Sequence, residues 1–176
     1  MPKIIFETQR LIGRHIESDD LDEMLVVYGD LDAMKWVDDG TTLTREDAVR
    51  WIEKTRRNYE TQGYGLSALM ERTTGVLVGF CGISHPGDQV EAEIKYTLKR
   101  SYWGQGLATE AVRAMIDHAD NDLGIRHIIA TTAPENRASH RVLLKSGLIL
   151  GELRNHEDGT ATQYFEWRSA RPALES

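Results

Sequence analysis

With 176 residues, 40% of them hydrophobic and 28% charged, the chain is long enough for one domain with a real core, and its composition is that of a soluble globular protein and not a disordered one. A net charge of −7 argues against broad nucleic-acid binding, which usually needs a basic face. The single cysteine, Cys81, excludes an internal disulfide and a cysteine-built zinc cluster.

The opening MPKIIFETQRL has no apolar core of a signal peptide, and no run is long enough to cross a bilayer. The expectation is a cytoplasmic protein with no membrane partner, folded as a single domain over residues 1–176. IIFETQRLIGRHI reads as a first strand, ended by ESDD. Ser18 is placed to cap a helix whose Leu21, Met24, Leu25 and Tyr28 share a face. A loop with Trp36 and DDGTT leads to a second helix, where Thr44 and Asp47 form an acidic relative of the capping box. Ala48, Trp51, Ile52, Thr55 and Tyr59 make its buried stripe.

Between residues 64 and 98 the period changes. YGLSALM alternates, VLVGFCGI is almost continuously apolar, and VEAEIKYTL alternates again, with TTG and HPGD as turns. This pattern predicts a three-stranded antiparallel meander. A third helix follows, with Ala108, Ala111, Val112, Met115, Ile116 and Ala119 on one side and Gly124 closing it. RHIIATT is a strand, PENRASHRVLLKSG a shorter helix stopped by Gly147, and LILGEL and ATQYFEW a hairpin around NHEDGT. Such mixing predicts an α+β fold, a sheet covered by helices on both faces.

The stretch RSYWGQGLATEAVRAMIDHA sets Gly104 and Gly106 just before the third helix. A helix N-terminus offers unpaired N–H groups and the positive end of the helix dipole, which suits a phosphate. A plain tight turn explains the same glycines. The P-loop pattern is absent, since no Gly-Lys-Ser/Thr follows. The dinucleotide fingerprint fails too: Thr109 stands where its third glycine belongs, and the preceding strand is antiparallel.

YTLKRSYWGQGLATEAVRAMIDHA, followed by NRASHRVLLKSGL, strongly resembles the GNAT superfamily of acetyl-CoA-dependent N-acetyltransferases, in particular the branch of ribosomal-protein N-terminal acetyltransferases. The likeness extends over nearly the whole chain. ETQRLIGRHIESDD is similar to that branch's opening strand, VLVGFCGI to its third, and AEIKYTL to the fourth, which lines the cofactor cleft. One departure stands out: Ser101 occupies the first place of the family's Gln/Arg-x-x-Gly-x-Gly/Ala loop. The implied fold is a mixed, mostly antiparallel GNAT sheet with helices on both faces.

The resemblance implies direct acetyl transfer from acetyl-CoA to an amine, with no covalent enzyme intermediate and no metal. Pantetheine would pair with the backbone of Tyr96, Thr97 and Leu98, and Asn136 would reach the same arm. The pyrophosphate would rest on the amides of Tyr102, Trp103, Gly104, Gln105, Gly106, Leu107, Ala108 and Thr109, with Arg100 or Lys99 supplying nearby charge. A backbone N–H near Leu98 would stabilise the oxyanion. The amine must be neutral to attack, which calls for a general base. Glu93 aligns with the family's glutamate, and Glu91 is the second choice; a solvated carboxylate is the alternative for either. Period-two alternation puts Val90, Ala92, Ile94, Tyr96 and Leu98 on one face, and Glu91, Glu93, Lys95 and Thr97 on the other, which must meet water or a cleft. Leu143 replaces the tyrosine that serves many relatives as acid, so Ser139, the branch's usual serine, would hydrogen-bond the departing sulfur or simply pack its helix.

Other residues read as structural. His140 should be a surface residue, Trp36 should pack in the core, and Arg137, Arg141 and Lys145 should form a solvated face rather than meet the 3′-phosphate. No Gly-x-Ser-x-Gly elbow supports a hydrolase, and the histidines lack ligand spacing. A non-catalytic acyl-CoA-binding module of the same fold stays open as an alternative. A phosphotransferase would need a loop lysine and carboxylates for magnesium. The acceptor pocket is expected from the Trp36 loop, the SHPGD turn and the NHEDGT hairpin. The acidic chain weakly favours a cationic acceptor such as a peptide N-terminus, an aminoglycoside or a polyamine. The branch is often dimeric, which makes a homodimer one open option.

Overall fold

The computed structural model describes residues 1–37 and 40–172; Asp38 and Asp39 of the expected loop lie outside the described residues. The opening segment is a hairpin rather than one strand, β1 (Ile4–Glu7) against β2 (Leu11–His15). Thr8 breaks the run. Leu11 N–H donates to its hydroxyl at 3.0 Å, and Thr8 N–H returns to the Leu11 carbonyl at 2.8 Å. Gly13 lets the Phe6 ring lie flat on β2, since a Cβ there would come within 2.5 Å of the ring.

Ser18 does not cap the next helix. Glu17 and Asp20 form the reciprocal capping pair of a short 3₁₀ turn, and α1 (Leu21–Tyr28) follows directly. Asp20 is available for this because Arg14 clamps it with two 2.8 Å bonds in a half-buried site. Ser18 instead accepts a bond from Arg56 at 3.0 Å. A short helix not expected from the sequence, α2 (Leu31–Met34), begins at Asp30, whose carboxylate accepts from Asp32 N–H. Thr44 then caps α3 (Arg45–Thr61) as expected, accepting from Asp47 N–H at 3.1 Å. Ala48, Ile52 and Thr55 are buried, with Trp51 and Tyr59 half-buried beside them.

β3 (Leu66–Glu71), β4 (Leu77–Ser84) and β5 (Ala92–Leu98) make the antiparallel meander. Val90 falls before β5 and is 92% exposed, so the buried face of this strand begins at Ala92. After it come α4 (Leu107–Asp122), β6 (His127–Thr132), α5 (Arg137–Lys145), β7 (Ile149–Asn155) and β8 (Ala161–Arg168). Gly124 and Gly147, both at positive φ, lie just past the ends of α4 and α5.

The eight strands run in the order β1-β2-β3-β4-β5-β6-β8-β7, and every neighbouring pair is antiparallel except β5 with β6. The fold is α+β, a mixed and mostly antiparallel sheet. One core packs Leu107, Val112, Ile116 and Leu143 of α4 and α5 on Val78, Cys81, Ile94, Ile128 and Phe165. The other packs Met24, Val27, Met34 and Ile52 of α1 to α3 on Leu66, Leu77 and Phe80. β4 serves both cores, which explains its unbroken apolar run. Among the described residues no helix is long and apolar enough to cross a membrane.

Candidate active site

The two parallel strands part almost as soon as they meet. β5 and β6 share two register pairs, Ala92 with Ile128 and Glu93 with Ile129, while on its other edge β5 follows β4 as far as Leu98. A cleft of about 1110 Å³ opens where they separate. Lys99 N–H donates to the Val78 carbonyl at 2.8 Å, which fixes the phase of the ladder. Backbone groups alternate sides along a strand, so those of Tyr96 and Leu98 point away from β4 into the gap. The Leu98 carbonyl is satisfied by Trp103 Nε1 at 3.0 Å, and the Leu98 N–H faces the side of β5 away from β4.

Glu93, Tyr96, Thr97, Asn136 and Ser139 all line this cleft. Glu93 is 4% exposed, a carboxylate on the cleft wall rather than a solvated one. Its Oε1 accepts from the Thr131 hydroxyl at 2.5 Å and its Oε2 from the Gln89 amide at 3.2 Å, with Lys95 Nζ 3.7 Å away. Glu91 is exposed. Asn136 caps α5, its side-chain carbonyl accepting from Ser139 N–H at 3.2 Å. The Ser139 hydroxyl lies 2.5 Å from the Tyr96 hydroxyl. Leu143, 1% exposed, is core.

At the end of β5 the chain makes a 3₁₀ turn over Arg100–Tyr102 and reaches Gly104 and Gly106 at φ 72° and 77°. Gly106 is the N-cap of α4 and provides no side-chain cap, so the first amides of the helix, from Leu107 onward, have no acceptor within it. A Cβ on Gly104 would meet nothing within 4 Å, so the backbone conformation and not crowding inside the protein is what requires glycine there. Leu107 itself is buried and offers only its amide.

The charge near this loop is arranged differently from the expectation. Arg100 is held by Asp30 at 2.6 Å and Asp32 at 2.8 Å, and Lys99 by Glu23. Both cations tie the loop's start to α1 and α2 instead of standing free for an anion. The cation that braces the loop is Arg10, which donates to the Gln105 carbonyl at 2.8 Å and pairs with Glu110 at 2.7 Å. Burial alone would raise the Glu110 pKa; bonds from Thr8 and Arg10 outweigh that and hold it below the usual value. Nothing in the sequence singles out Arg10, because its contacts lie 95 and 100 residues away.

Other expectations are corrected. Trp36 lines the cleft at 38% exposure, with Lys35 Nζ 4.7 Å from its ring centroid, and is not a core residue. His140 is half-buried, within 2.8 Å of the Thr132 hydroxyl and edge-on to Phe165, so it packs the helix instead of facing water. Arg137, Arg141 and Lys145 are exposed. The Trp36 segment, the His85–Asp88 turn and the β7–β8 hairpin at His156 to Thr160 do border one cleft.

The profile of the acetyltransferase (GNAT) domain matches residues 10–149. Among curated proteins, YkkB of Bacillus subtilis is 35% identical over 100 residues, 56% of this chain and 58% of that protein. The N-acetyltransferase p20 of Bacillus licheniformis, itself uncharacterized, is 29% identical over 138 residues, 77% of each chain. Among solved structures, a ribosomal L7/L12 alpha-N-protein acetyltransferase in complex with coenzyme A superposes with a TM-score of 0.79 at 17% identity, covering 94% of this chain and 98% of that one. The family profile spans most of the chain and includes both the parted strands and the glycine-led helix, and the chain belongs to the GNAT family of N-acetyltransferases.

Proposed function

We propose that residues 1–176 act as one catalytic domain that transfers the acetyl group of acetyl-CoA directly to a primary amine, either a protein N-terminus or a small-molecule amine. The observation that carries this reading is the gap between β5 and β6 together with the uncapped N-terminus of α4, which follows β5 after one 3₁₀ turn. Strand backbone able to pair with an extended amide chain is followed, a few residues on, by amides suited to a pyrophosphate. The coenzyme A held by the solved ribosomal acetyltransferase of the same fold supports the choice of ligand.

Acetyl-CoA supplies an acyl thioester. The outward-facing backbone of Tyr96 and Leu98 would align its pantetheine arm, whereas the backbone groups of Thr97 face β4. The amides of residues 104–109 would hold its pyrophosphate, since those of Tyr102 and Trp103 already donate to the Lys99 and Arg100 carbonyls, with Arg10 in place of Arg100 as the bracing cation. Glu93 would take a proton from the amine, directly or through water. The Leu98 N–H, fixed before the reaction, would stabilise the charge that develops on the acyl oxygen. Ser139 would hydrogen-bond the departing sulfur. The acceptor enters between Trp36, the His85–Asp88 turn and the β7–β8 hairpin. Release of CoA thiol, followed across a panel of peptides and small amines, tests the reading. Absence of both CoA binding and thiol release with every amine would overturn it.

Asn136 and Ser139 should fail differently. Asn136→Ala removes a helix cap as well as a cleft amide, so it should cost about 1 kcal/mol of stability and raise the KM for acetyl-CoA. Asn136→Asp keeps the cap acceptor; if its KM is normal while its melting temperature is restored, the side chain serves the helix alone. Ser139→Ala should lower kcat with little change in KM, because it touches charge that appears only as sulfur departs. Equal small effects on both parameters would make the serine structural.

A further inference from the structure

Ser139 can assist a departing sulfur only if its proton points at it, and a serine hydroxyl rotates freely unless something holds it. Here something does. Tyr96, on β5, and Ser139, in the first turn of α5, face each other across the cleft wall with their hydroxyl oxygens 2.5 Å apart. No other partner of the Ser139 hydroxyl occurs among the described residues. The Tyr96 hydroxyl has one further neighbour, the Ser139 carbonyl at a long 3.4 Å. A phenol is the stronger acid of the two hydroxyls and an aliphatic hydroxyl oxygen is a good acceptor, and the 2.5 Å contact is far shorter than the 3.4 Å one. The short contact is therefore the one through which the phenol donates. The phenol's proton is then committed to Ser139 Oγ, and the serine's own proton is left to turn into the cleft.

Resting on the acetyl-transfer reading, we propose that Tyr96 is a positioning residue whose hydroxyl donates to Ser139 Oγ and so aims the serine proton at the sulfur of the departing CoA. The bond balance is simple. The amine nitrogen bonds to the acyl carbon, the carbon–sulfur bond breaks, and sulfur keeps the electron pair as a thiolate that accepts the Ser139 hydrogen bond. The amine's proton leaves through Glu93 or water, and the thiolate is protonated by solvent after release. Tyr96 transfers no proton at any stage. Burial pushes its phenol above the usual tyrosine range, so it keeps its proton at ordinary assay pH. This arrangement also accounts for the missing tyrosine acid at Leu143: a hydroxyl pair from two elements supports the sulfur in its place.

The test is a double-mutant cycle in the full-length protein with acetyl-CoA and an accepted amine. Tyr96→Phe should lower kcat about tenfold, the worth of one ordinary hydrogen bond, with the KM for acetyl-CoA unchanged. In a Ser139→Ala background the same change should have no effect, because nothing remains to be aimed. An unchanged or raised kcat in Tyr96→Phe would mean that the serine donates to the tyrosine, and would overturn the proposal. Additive losses in the double mutant would overturn it as well. If Tyr96→Phe fails to fold, Ser139→Ala alone decides: full kcat there leaves Tyr96 with nothing to position. A wild-type protein that releases no CoA with any amine would instead sink the acetyl-transfer reading, a result distinct from all of these.

Discussion

Glu93→Gln should lower kcat at pH 7 by about a hundredfold to ten-thousandfold, the usual range for losing a general base, with CoA affinity nearly constant. The variant suits the site. Thr131 and Gln89 each hold one carboxylate oxygen, and a glutamine of the same shape can keep both contacts after the threonine hydroxyl turns. What it cannot do is accept a proton. The defect should shrink as pH rises, because an amine that is already neutral has no proton to give up. Glu91→Gln is the control: that side chain is exposed and away from the cleft wall, so its pH–rate profile should match the wild type. Full activity in Glu93→Gln would pass proton removal to bulk water and leave Glu93 as a strut between β5 and β6, through Thr131.

Periodicity makes the centre of this fold legible. The meander, the α3 stripe with its Thr44 cap, and the buried face of α4 all follow from patterns that local sequence carries. The misreadings occur where a long-range contact outweighs a local signal. Ser18 has the chemistry of a cap, but Arg14 on β2 fixes Asp20 and moves the capping pair one residue earlier. Thr8 is a good strand residue, yet its hydroxyl closes a turn and splits the first strand in two.

The site divides in the same way. Alternation along VEAEIKYTL puts Glu93 on the face that must meet a cleft, and the structure places it on the cleft wall. The geometry of the gap is a property of the β5–β6 pairing, which no single strand encodes. Arg100 sits beside the glycine loop in sequence, and that proximity suggests a free cation. Asp30, seventy residues earlier, and its neighbour Asp32 are nevertheless its partners, and Arg10 reaches the loop from the far edge of the sheet. The Tyr96–Ser139 contact spans 43 residues and joins a strand to a helix, so only the folded chain brings the pair together.

Gly106→Val should weaken CoA binding at least tenfold, about 1.4 kcal/mol, in calorimetry on a protein whose circular dichroism is unchanged. The physical cause is the backbone. Gly106 sits at φ 77°, a left-handed conformation that a β-branched residue adopts only under strain. An added Cβ would meet Arg10 Nη2 at 3.5 Å, an ordinary contact, so the protein itself has room. Valine should therefore pull the N-cap out of its conformation and turn the following amides away from where the pyrophosphate must lie. Asparagine separates this cause from crowding of the ligand, because it tolerates the left-handed region better than valine while still carrying a side chain. If backbone conformation governs, Gly106→Asn should bind CoA more tightly than Gly106→Val. Equal losses in the two variants would mean that any side chain obstructs the ligand. Unchanged affinity in Gly106→Val would show that the two glycines only make a turn, and the phosphate site would have to be sought elsewhere along the cleft.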